Sequence, residues 1–478
     1  MNVLLVNTNR MKPAIAPIGL DYLADALVVA GHDVRLLDLC FTNSLEDDIA
    51  AACRSFAPHA VGLTVRNTDD CYFSGQAFFL PEIKRIFDLL RQHTDAPVVL
   101  GGVGFSIMPA AVMGFCSADF GIAGEGEVAF VEFLNSLQRR RAWETVPNLL
   151  FRENGVVRQN RAEPVDLSRL PARRRTFVDN RRYFAAGGQA GFESKRGCAM
   201  PCVYCAEPMA KGRVTRLMPP AAVAAELAAL VAQGVDHFHT CDSEFNLPAG
   251  HAREVCRAII QAGLGEKVRW YAYCAPKPFD GEMAALFKRA GCAGIDFGAD
   301  SGNDAMLGRL GRPFRACDLA DTARICREHG LRFMYDLLLG GPGETRESLR
   351  ESITLMRRLE PDCVGLSIGM RVYDGTAAAQ FVRDEGEPEA SPNLHGATRG
   401  NSNFLKPVFY IAPTLGREIV AIVRELVAGD TRFFLPEVSS DNANYNYNDN
   451  TALVQAIAAG ARGAYWDILN KMGKPGTN

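Results

Sequence analysis

Short apolar segments alternate with amphipathic segments along most of the chain, and this alternation limits its fold more than any other feature. In the first 140 residues the amphipathic segments have apolar residues at helical spacing. The apolar segments between them lie at 3–7, 34–39, 60–66, 98–103 and 120–124. Strands that alternate with helices form a parallel sheet with helices on both faces. Residues 1–140 therefore predict an α/β, doubly wound, Rossmann-like domain with a ligand at the carboxyl ends of its strands.

The alternation resumes near residue 188 with longer helices, many of which end on glycine. Six further apolar segments lie at 189–196, 237–242, 268–274, 294–300, 332–340 and 364–372. Six strand–helix units predict a partial parallel (βα)6 barrel of the TIM type or a second open sheet. We place this unit at residues 188–380.

Two stretches lack the alternation. Residues 141–187 are polar and interrupted by proline, which predicts a linker whose arginine run at 173–175 is solvated. Residues 381–478 predict a small, mostly helical C-terminal cap or substrate domain. Its Asn/Tyr stretch at 445–448 is either part of a substrate site or a surface turn.

Length and charge narrow the class of protein. A chain of 478 residues is too long for one core and suggests two to four domains. A formal charge of −3 with dispersed Lys and Arg argues against a nucleic-acid partner. No apolar stretch approaches the roughly 20 residues of a membrane span, and the first residues lack the order of a signal peptide. We therefore expect a cytoplasmic protein.

Three of the fourteen cysteines, Cys198, Cys202 and Cys205, crowd into eight positions of a loop after a predicted strand. A structural zinc site normally needs four ligands in pairs, and an odd number of cysteines in the cytosol argues against disulfides. Three thiolates suit a 4Fe-4S cluster that keeps one iron open for another ligand. Most of the other cysteines are expected to be core residues.

The spacing Cys-x3-Cys-x2-Cys, with Tyr204 before the last cysteine, resembles the radical S-adenosylmethionine (SAM) superfamily. In that family the open iron is chelated by the amino and carboxylate groups of SAM. Further strand-end motifs, "TCDSEF", "GADSG", "LLLGGPGET" and "MRVYDGT", are similar to the family's SAM-binding positions. The last departs from the family pattern, with Asp374 where proline is frequent. The resemblance implies a SAM site made by Tyr204, Asp242, Ser243, Glu244, Asp300, Ser301, Gly340, Gly341, Pro342, Arg371 and Tyr373.

The N-terminal segment, with its glycine-rich strand ends, resembles the cobalamin-binding domain of cobalamin-dependent radical SAM enzymes. The resemblance implies cobalamin contacts from Thr8, Arg66, Gly101, Gly102, Gly104, Gly124, Glu125, Gly126 and Glu127. The histidine motif Asp-x-His-x-x-Gly is missing, and His32 and His59 stand in another context. We therefore expect base-off cobalamin without a histidine ligand. Arg66 is expected either to face cobalt or to form a surface salt bridge.

The resemblance implies an enzyme. SAM bound to the cluster would be cleaved to a 5′-deoxyadenosyl radical, and methylcobalamin would methylate an unactivated carbon of a small organic substrate. A flavodoxin- or ferredoxin-type reductant would supply electrons. The alternatives are a rearrangement, cyclisation or ring contraction without methylation and, in another class, a redox sensor built on cluster and cobalamin.

Overall fold

The structure, a computed structural model, describes residues 1–139, 142–435 and 450–473. The stretch 445–448 lies outside these ranges. Within them no helix is both long and apolar enough to cross a membrane.

The N-terminal sheet confirms all five predicted strands. They are β1 (Asn2–Asn7), β2 (Asp33–Asp38), β3 (Ala60–Thr64), β4 (Val98–Gly101) and β5 (Phe120–Ile122). They are parallel in the order β2-β1-β3-β4-β5, so the strand order reverses between β1 and β3. Such a switch point opens a crevice at the carboxyl ends of the strands. The helices of this part are α1 (Ile18–Val29), α2 (Leu45–Phe56), α3 (Leu80–His93), α4 (Val103–Ile107), α5 (Pro109–Cys116) and α6 (Gly126–Arg139).

Part of the predicted linker 141–187 belongs to this sheet. Strands β6 (Leu149–Glu153) and β7 (Val156–Gln159) form a hairpin, and β6 pairs antiparallel with β5. The turn residues Asn154 and Gly155 have φ of 49° and 81°. Asn-Gly between two strand-like segments is a strong hairpin signal, so an irregular connector was the wrong prediction for 149–159.

The arginine run in the linker is not a solvated face. Arg174 is exposed, but the side chains of Arg173 and Arg175 are buried. Arg175 bonds to Asp21 on α1 (Nε to Oδ2, 3.0 Å) and to Glu226 (Nη1 to Oε1, 2.6 Å), which lies in the second half of the chain. The linker thus ties the two halves together through buried ion pairs.

The second half contains a seven-stranded parallel sheet in the order β19-β15-β14-β13-β12-β11-β8. Apart from β19, each strand pairs with its sequential neighbours within the sheet. This order differs from a doubly wound sheet and matches the predicted partial barrel. Its strands are β8 (Ala190–Phe192), β11 (His237–Thr240), β12 (Arg269–Cys274), β13 (Cys292–Asp300), β14 (Arg332–Leu339), β15 (Cys363–Ile368) and β19 (Phe433–Phe434). The short strands outside this sheet are β9 (Lys195–Arg196), β10 (Arg216–Leu217), β16 (Met370–Arg371), β17 (Leu394–Gly396) and β18 (Val408–Tyr410).

Most helices of the second half pack against the outer face of this sheet and form the largest core with it. The helices of this half begin in the linker and continue to the C-terminal segment. The helices are α7 (Asn180–Gly187), α8 (Glu207–Lys211), α9 (Pro220–Ala232), α10 (Ala249–Gln261), α11 (Gly281–Arg289), α12 (Asp304–Arg309), α13 (Ala316–Glu328), α14 (Arg346–Leu359), α15 (Ala377–Glu385), α16 (Ile419–Val427), α17 (Thr451–Ala458) and α18 (Tyr465–Met472).

The C-terminal residues occupy both ends of the barrel. Strand β18 pairs antiparallel with both β16 and β17, and this small sheet lies beyond the carboxyl end of β15. Helix α18 lies at the amino end, where Trp466 packs against Tyr271 and faces Gly294, whose missing side chain leaves room for the indole ring. Tyr271 donates to Asp467 at 2.7 Å. Helix α18 therefore closes the barrel floor and does not cap its open end.

Candidate active site and cofactor cavity

The cysteine triplet lies on an irregular loop that follows β9 near the carboxyl ends of the barrel strands. The loop turns at Gly197, which has φ of +90°, and a Cβ there would lie 2.2 Å from the Val214 oxygen. Only glycine fits this turn. Val203 N donates to Leu310 O at 3.1 Å and holds the loop against the barrel. All three thiols remain partly exposed and open to a ligand.

The donor set fits an iron–sulfur cluster. Burial raises the pKa of all three thiols, to about 12 for Cys205, so deprotonation must accompany metal binding. In the described ranges no three His, Cys, Asp or Glu side chains converge as they do around one metal ion. Three thiols on one loop suit a cluster in which each of three irons takes one thiolate.

Arg312 connects the triplet to the barrel. Its Nη1 lies 2.9 Å from Cys202 Sγ, its Nη2 donates to Gly298 O at 2.5 Å, and its Nε lies 3.3 Å from Asp300 Oδ2. Glu244 Oε1 is 3.4 Å from the same guanidinium, and burial raises the pKa of Glu244 to about 7. A buried cation thus sits between one cysteine and two of the predicted SAM-binding carboxylates.

Tyr204 and Asp300, two predicted SAM-binding residues, meet directly. The Tyr204 hydroxyl donates to Asp300 Oδ2 at 2.6 Å. Asp300 ends β13 with φ of 58°, a conformation that only a few residue types adopt readily. The strand-end turn therefore aims this carboxylate toward the cysteine loop.

The acidic motif on the loop after β11 divides its residues between two roles. Both oxygens of Asp242 accept from the Ser194–Lys195 segment, with Ser194 Oγ at 2.5 Å from Oδ2 and Lys195 N at 3.2 Å from Oδ1. Ser243 donates to Glu207 at 3.2 Å. Asp242 therefore holds the segment before the cysteines and Ser243 contacts the helix after them, and Glu244 is the member of the motif best placed for a ligand ammonium.

Ser301 also has an internal role. It is fully buried, its Oγ lies 3.1 Å from Ser352 Oγ, and it accepts from Asn303 N at 3.1 Å. The predicted ribose contact of Ser301 has no support in this geometry.

The glycine-rich loop after β14 is shaped by a buried acid. Gly340, with φ of +98°, donates its N–H to Glu344 Oε2 at 2.6 Å. Burial raises the pKa of Glu344 to about 7. A Cβ on Gly341 would lie 3.2 Å from Leu310 Cδ2, so a larger residue would crowd the neighbouring helix α12 and its end. Pro342 follows in the same turn, partly exposed.

Arg371 and Tyr373, predicted to contact SAM, have their polar atoms engaged by the N-terminal half. Arg371 Nη2 lies 2.9 Å from Asp69 Oδ2, and Tyr373 OH lies 2.8 Å from Cys71 Sγ. Both partners stand on the loop between β3 and α3. These two residues bind the halves of the protein together at the open end of the barrel.

Sequence reasoning missed Arg312 and Lys195. Arg312 is 110 residues from Cys202 and belongs to no motif, so only the fold reveals it. Lys195 is buried, and its charge lies near Asp242, Glu244 and Cys198. Its position three residues before the first cysteine was the available signal.

A cavity of about 360 Å³ lies between the carboxyl edge of the N-terminal sheet and the barrel. Strands β1, β3, β4 and β5 contribute their ends, and the barrel side contributes Gly191, Glu193, Lys211 and Cys241. Gly102, with φ of +97°, forms a cradle there, since a Cβ would lie 2.6 Å from Val65 O. Seven of the nine predicted cobalamin residues line the cavity: Arg66, Gly101, Gly102, Gly124, Glu125, Gly126 and Glu127.

The other two predicted residues lie elsewhere. Thr8 donates to Thr64 O at 2.6 Å and lines a smaller cavity of about 130 Å³ that also borders Arg66. A Cβ on Gly104 would lie 2.9 Å from the Asn67 backbone, so this glycine permits close packing of α4 against the loop after β3.

The two predicted glutamates line the cavity with their carboxylates paired. Arg196 binds Glu127 at 2.7 Å and Glu125 at 3.1 Å. Burial alone would raise the pKa of Glu127, but the charge of Arg196 outweighs burial and lowers it. These acids join the cavity wall to the segment before the cysteines and are not free to bind a ligand cation.

Arg66 faces the cavity without a counter-charge. Its Nη1 lies 3.8 Å from Met11 Sδ, and it forms no ion pair with a residue of the described part of the chain. No described residue that lines the cavity is a histidine. His32 and His59 immediately precede β2 and β3, at the amino edge of the sheet.

The fold and the site together define a class: an iron–sulfur SAM enzyme whose barrel is joined to a cobalamin-type domain. Two family models agree, the B12 binding domain over residues 5–134 and the radical SAM superfamily over residues 192–356.

The relatives define the family. The chain is 32% identical to tryptophan 2-C-methyltransferase of Streptomyces laurentii, over 80% of this chain and 74% of that protein. It is 27% identical to an uncharacterized methyltransferase of Pyrococcus horikoshii, over 77% of this chain and 78% of that protein. The radical SAM methyltransferase TsrM from Kitasatospora setae has been solved with tryptophan and a SAM analog bound. Its structure superposes on this chain with a TM-score of 0.90 at 30% identity, over 98% of this chain and 97% of TsrM. The chain belongs to the cobalamin-dependent radical SAM family of methyltransferases.

This membership confirms the predicted fold class and the prediction of an enzyme. TsrM has also been solved with cobalamin and a 4Fe-4S cluster bound, with a TM-score of 0.88 to this chain. Together with the two family models, this supports the same two cofactors here, and SAM with them.

Proposed function

We propose that this enzyme moves a methyl group from SAM to a carbon atom of a small organic substrate. The observation that carries the proposal is the shared cavity, because the N-terminal strand ends and the barrel segments beside the cysteine triplet line one space. A ligand in that space would touch both halves of the protein.

The proposed cofactor roles follow from the donor groups. Cys198, Cys202 and Cys205 hold a 4Fe-4S cluster, and the interdomain cavity holds cobalamin. When bound, the cluster would transfer electrons and cobalamin would carry the methyl group. An external reductant of the flavodoxin or ferredoxin type is the proposed source of electrons.

The chain's own residues orient SAM. Glu244 is the acid of its motif with a carboxylate left for a ligand, and it accepts a hydrogen bond from the amino group of SAM. Lys195 is placed to neutralise the charge of the carboxylate of SAM. The Gly340–Gly341 turn lets the backbone approach the adenine closely. Arg312 positions Glu244 and Asp300 by holding both carboxylates at the cysteine loop.

Arg66 is the proposed neighbour of cobalt on the lower face of cobalamin. An arginine cannot donate a lone pair to cobalt as histidine does, because its guanidinium stays protonated. Cobalamin bound beside it would be base-off and lack a protein ligand. The absorption spectrum of the bound corrin tests this, and a spectrum of histidine-ligated cobalamin would contradict it.

The substrate class is suggested by the relatives. Tryptophan 2-C-methyltransferase is the 32% identical relative, and TsrM was solved with tryptophan bound. We therefore propose an aromatic amino acid or a related indole as the first substrate to try.

The test is turnover by anaerobically reconstituted enzyme with SAM, methylcobalamin and L-tryptophan. A methylated product together with S-adenosylhomocysteine is expected, and the variant with all three triplet cysteines changed to alanine should form none. 5′-Deoxyadenosine with an unmethylated, altered substrate would instead favour a rearrangement or cyclisation. A protein that binds both cofactors and forms no product from a panel of indoles and amino acids would favour the sensor alternative.

A further inference from the structure

A pair of carboxyl groups lies inside the barrel and is used by none of the roles proposed above. Asp296 stands on β13 and Asp336 on β14, and strand pairing sets Gly298 opposite Asp336 and Met334 opposite Asp296. The two aspartates are therefore diagonal neighbours on one face of the sheet. Their carboxyl groups hydrogen-bond to each other.

The pair points into the barrel interior. Ile295 and Phe297, on either side of Asp296, pack in the core between the sheet and the outer helices. Because side chains alternate along a strand, Asp296 faces the opposite way, into the lumen. The same reasoning applies to Asp336, between Tyr335 and Leu337.

One oxygen of this pair has no partner. Asp296 is 3% exposed, and its Oδ1 is buried without a hydrogen bond in the described structure. A buried oxygen without a hydrogen bond destabilises the fold unless a ligand or a water molecule donates one to it. Burial, and then the charge of Asp336, holds the pKa of Asp296 well above its ordinary value. Two carboxyl groups this close share one proton and carry about one negative charge between them.

Open space adjoins the pair. Tyr273, directly opposite Asp296 on β12, is 43% exposed although it faces inward. His239 on β11 contacts the Tyr273 ring with centroids 4.8 Å apart. Ser367, on the inner face of β15, is also exposed. An aromatic wall and a carboxyl pair thus border one opening at the barrel mouth.

This opening lies next to the SAM site. Gly298 follows Asp296 by two residues, about 7 Å along the strand. The Gly298 oxygen accepts from Arg312, which also contacts Cys202. At the other end Trp466 closes the lumen floor beside Tyr271. A molecule in the opening would lie between the proposed SAM-binding residues and a closed floor.

We propose that the Asp296–Asp336 pair binds the protonated amino group of the methyl-accepting substrate, whose body rests against Tyr273. One net negative charge matches one ammonium, and the unpaired Asp296 oxygen accepts one of its N–H groups. The aromatic face adds a favourable contact for a cation or a ring. This inference rests on the proposed function and names the group by which the substrate is recognised.

The experiment compares matched ligands on the reconstituted holoenzyme. Dissociation constants are measured for L-tryptophan and indole-3-propionate, which lacks the amino group, and for L-phenylalanine and 3-phenylpropionate. In the wild type each amine should bind between about tenfold and a hundredfold more tightly than its deaminated partner. In Asp336→Asn this advantage should fall to a few-fold, and in Asp336→Glu much of it should return.

The control is Asp321→Asn, an exposed aspartate that pairs with Arg324 on the outer helix α13. Its amine preference should equal that of the wild type. Iron content and melting temperature verify that each variant is folded, and Asp296→Asn adds a second test of the pair.

The outcomes separate the two proposals. The amine site is overturned if the wild type does not prefer amines, or if Asp336→Asn prefers them as strongly as the wild type does. Either result counts against the site even if tryptophan is methylated. An amine preference that depends on Asp336 supports the site even if no tested amine is methylated, in which case only the proposed reaction or substrate fails.

Discussion

Replacing Arg175 with methionine should loosen the joint between the two halves of the protein. The side chain is fully buried, and besides Asp21 and Glu226 it donates to Gly191 O at 3.0 Å and Asn180 Oδ1 at 3.2 Å. Methionine fills similar space but leaves two buried carboxylates without this cation. Breaking a buried ion pair on one side typically costs about 3 to 5 kcal/mol.

The structure favours the lower end of that range. Glu226 keeps a bond from Tyr22 OH at 2.7 Å and an ion pair with Arg173 at 3.3 Å, and Asp21 keeps the Phe177 N–H at 3.0 Å. We therefore expect a loss of about 3 kcal/mol. For a chain of this length unfolding as one unit, that lowers Tm by about 3 °C, and by more if only the N-terminal half unfolds.

The loss should depend on pH. Burial raises the pKa of Asp21 even though Arg175 opposes it, so removing Arg175 raises this pKa further. A carboxyl whose folded pKa exceeds its unfolded value binds more protons when folded, so stability falls as pH rises through that window. The deficit of Arg175→Met relative to wild type should therefore be smaller at pH 5 than at pH 8.

Thermal unfolding and cobalamin binding measure the effect. Gly191 and Tyr22 both line the cavity, so cobalamin affinity should fall along with stability. Arg174→Met is the matched control, since Arg174 is exposed. Equal shifts for Arg174→Met and Arg175→Met, or a deficit that grows toward low pH, would refute the reasoning.

Four further predictions concern the SAM end. Changing the triplet cysteines to alanine should abolish bound iron, whereas Cys241→Ala should retain it; the reverse pattern in an iron assay would overturn the cluster assignment. Glu244→Ala should weaken SAM binding with iron content constant. Gly341→Val should also weaken SAM binding, because its side chain would crowd Leu310 and Met306 and displace the turn that we propose meets adenine; unchanged affinity in a titration would show that the turn does not meet SAM. Arg312→Met, which removes a cation 2.9 Å from Cys202 Sγ, should lower the cluster's reduction potential, and an unchanged redox titration would contradict this.

The strands of the two sheets were predictable because the residue pattern that marks each strand lies within a few positions of the sequence. Apolar segments such as 60–66 and 332–340 carry strand composition within a few residues, and the structure places β3 and β14 there. The hairpin at 149–159 carries a local signal too, Asn154-Gly155, but the polar segment around it lacks the apolar alternation that marks the other strands.

The convergence of candidate site residues was predictable where their motifs follow strand ends. Tyr204 and Asp300 meet because parallel strands deliver their ends to one edge. The roles of Asp242, Ser301 and Arg371 were not predictable in the same way. The polar atoms of each residue form hydrogen bonds with a segment distant in sequence. Sequence patterns do not show which distant residue will bond to a buried polar side chain.

The sequence by itself determined the chemistry available to the protein: three closely spaced thiols, glycine-rich strand ends and the order of the strands. These properties depend on residue type and short spacing. Tertiary structure alone decided that Arg175 is buried between Asp21 and Glu226, that Arg312 reaches Cys202, and that Trp466 closes the barrel floor. The physical reason is that burial and ion pairing depend on which distant surfaces meet, and the free energy of those contacts exists only once both domains are folded together.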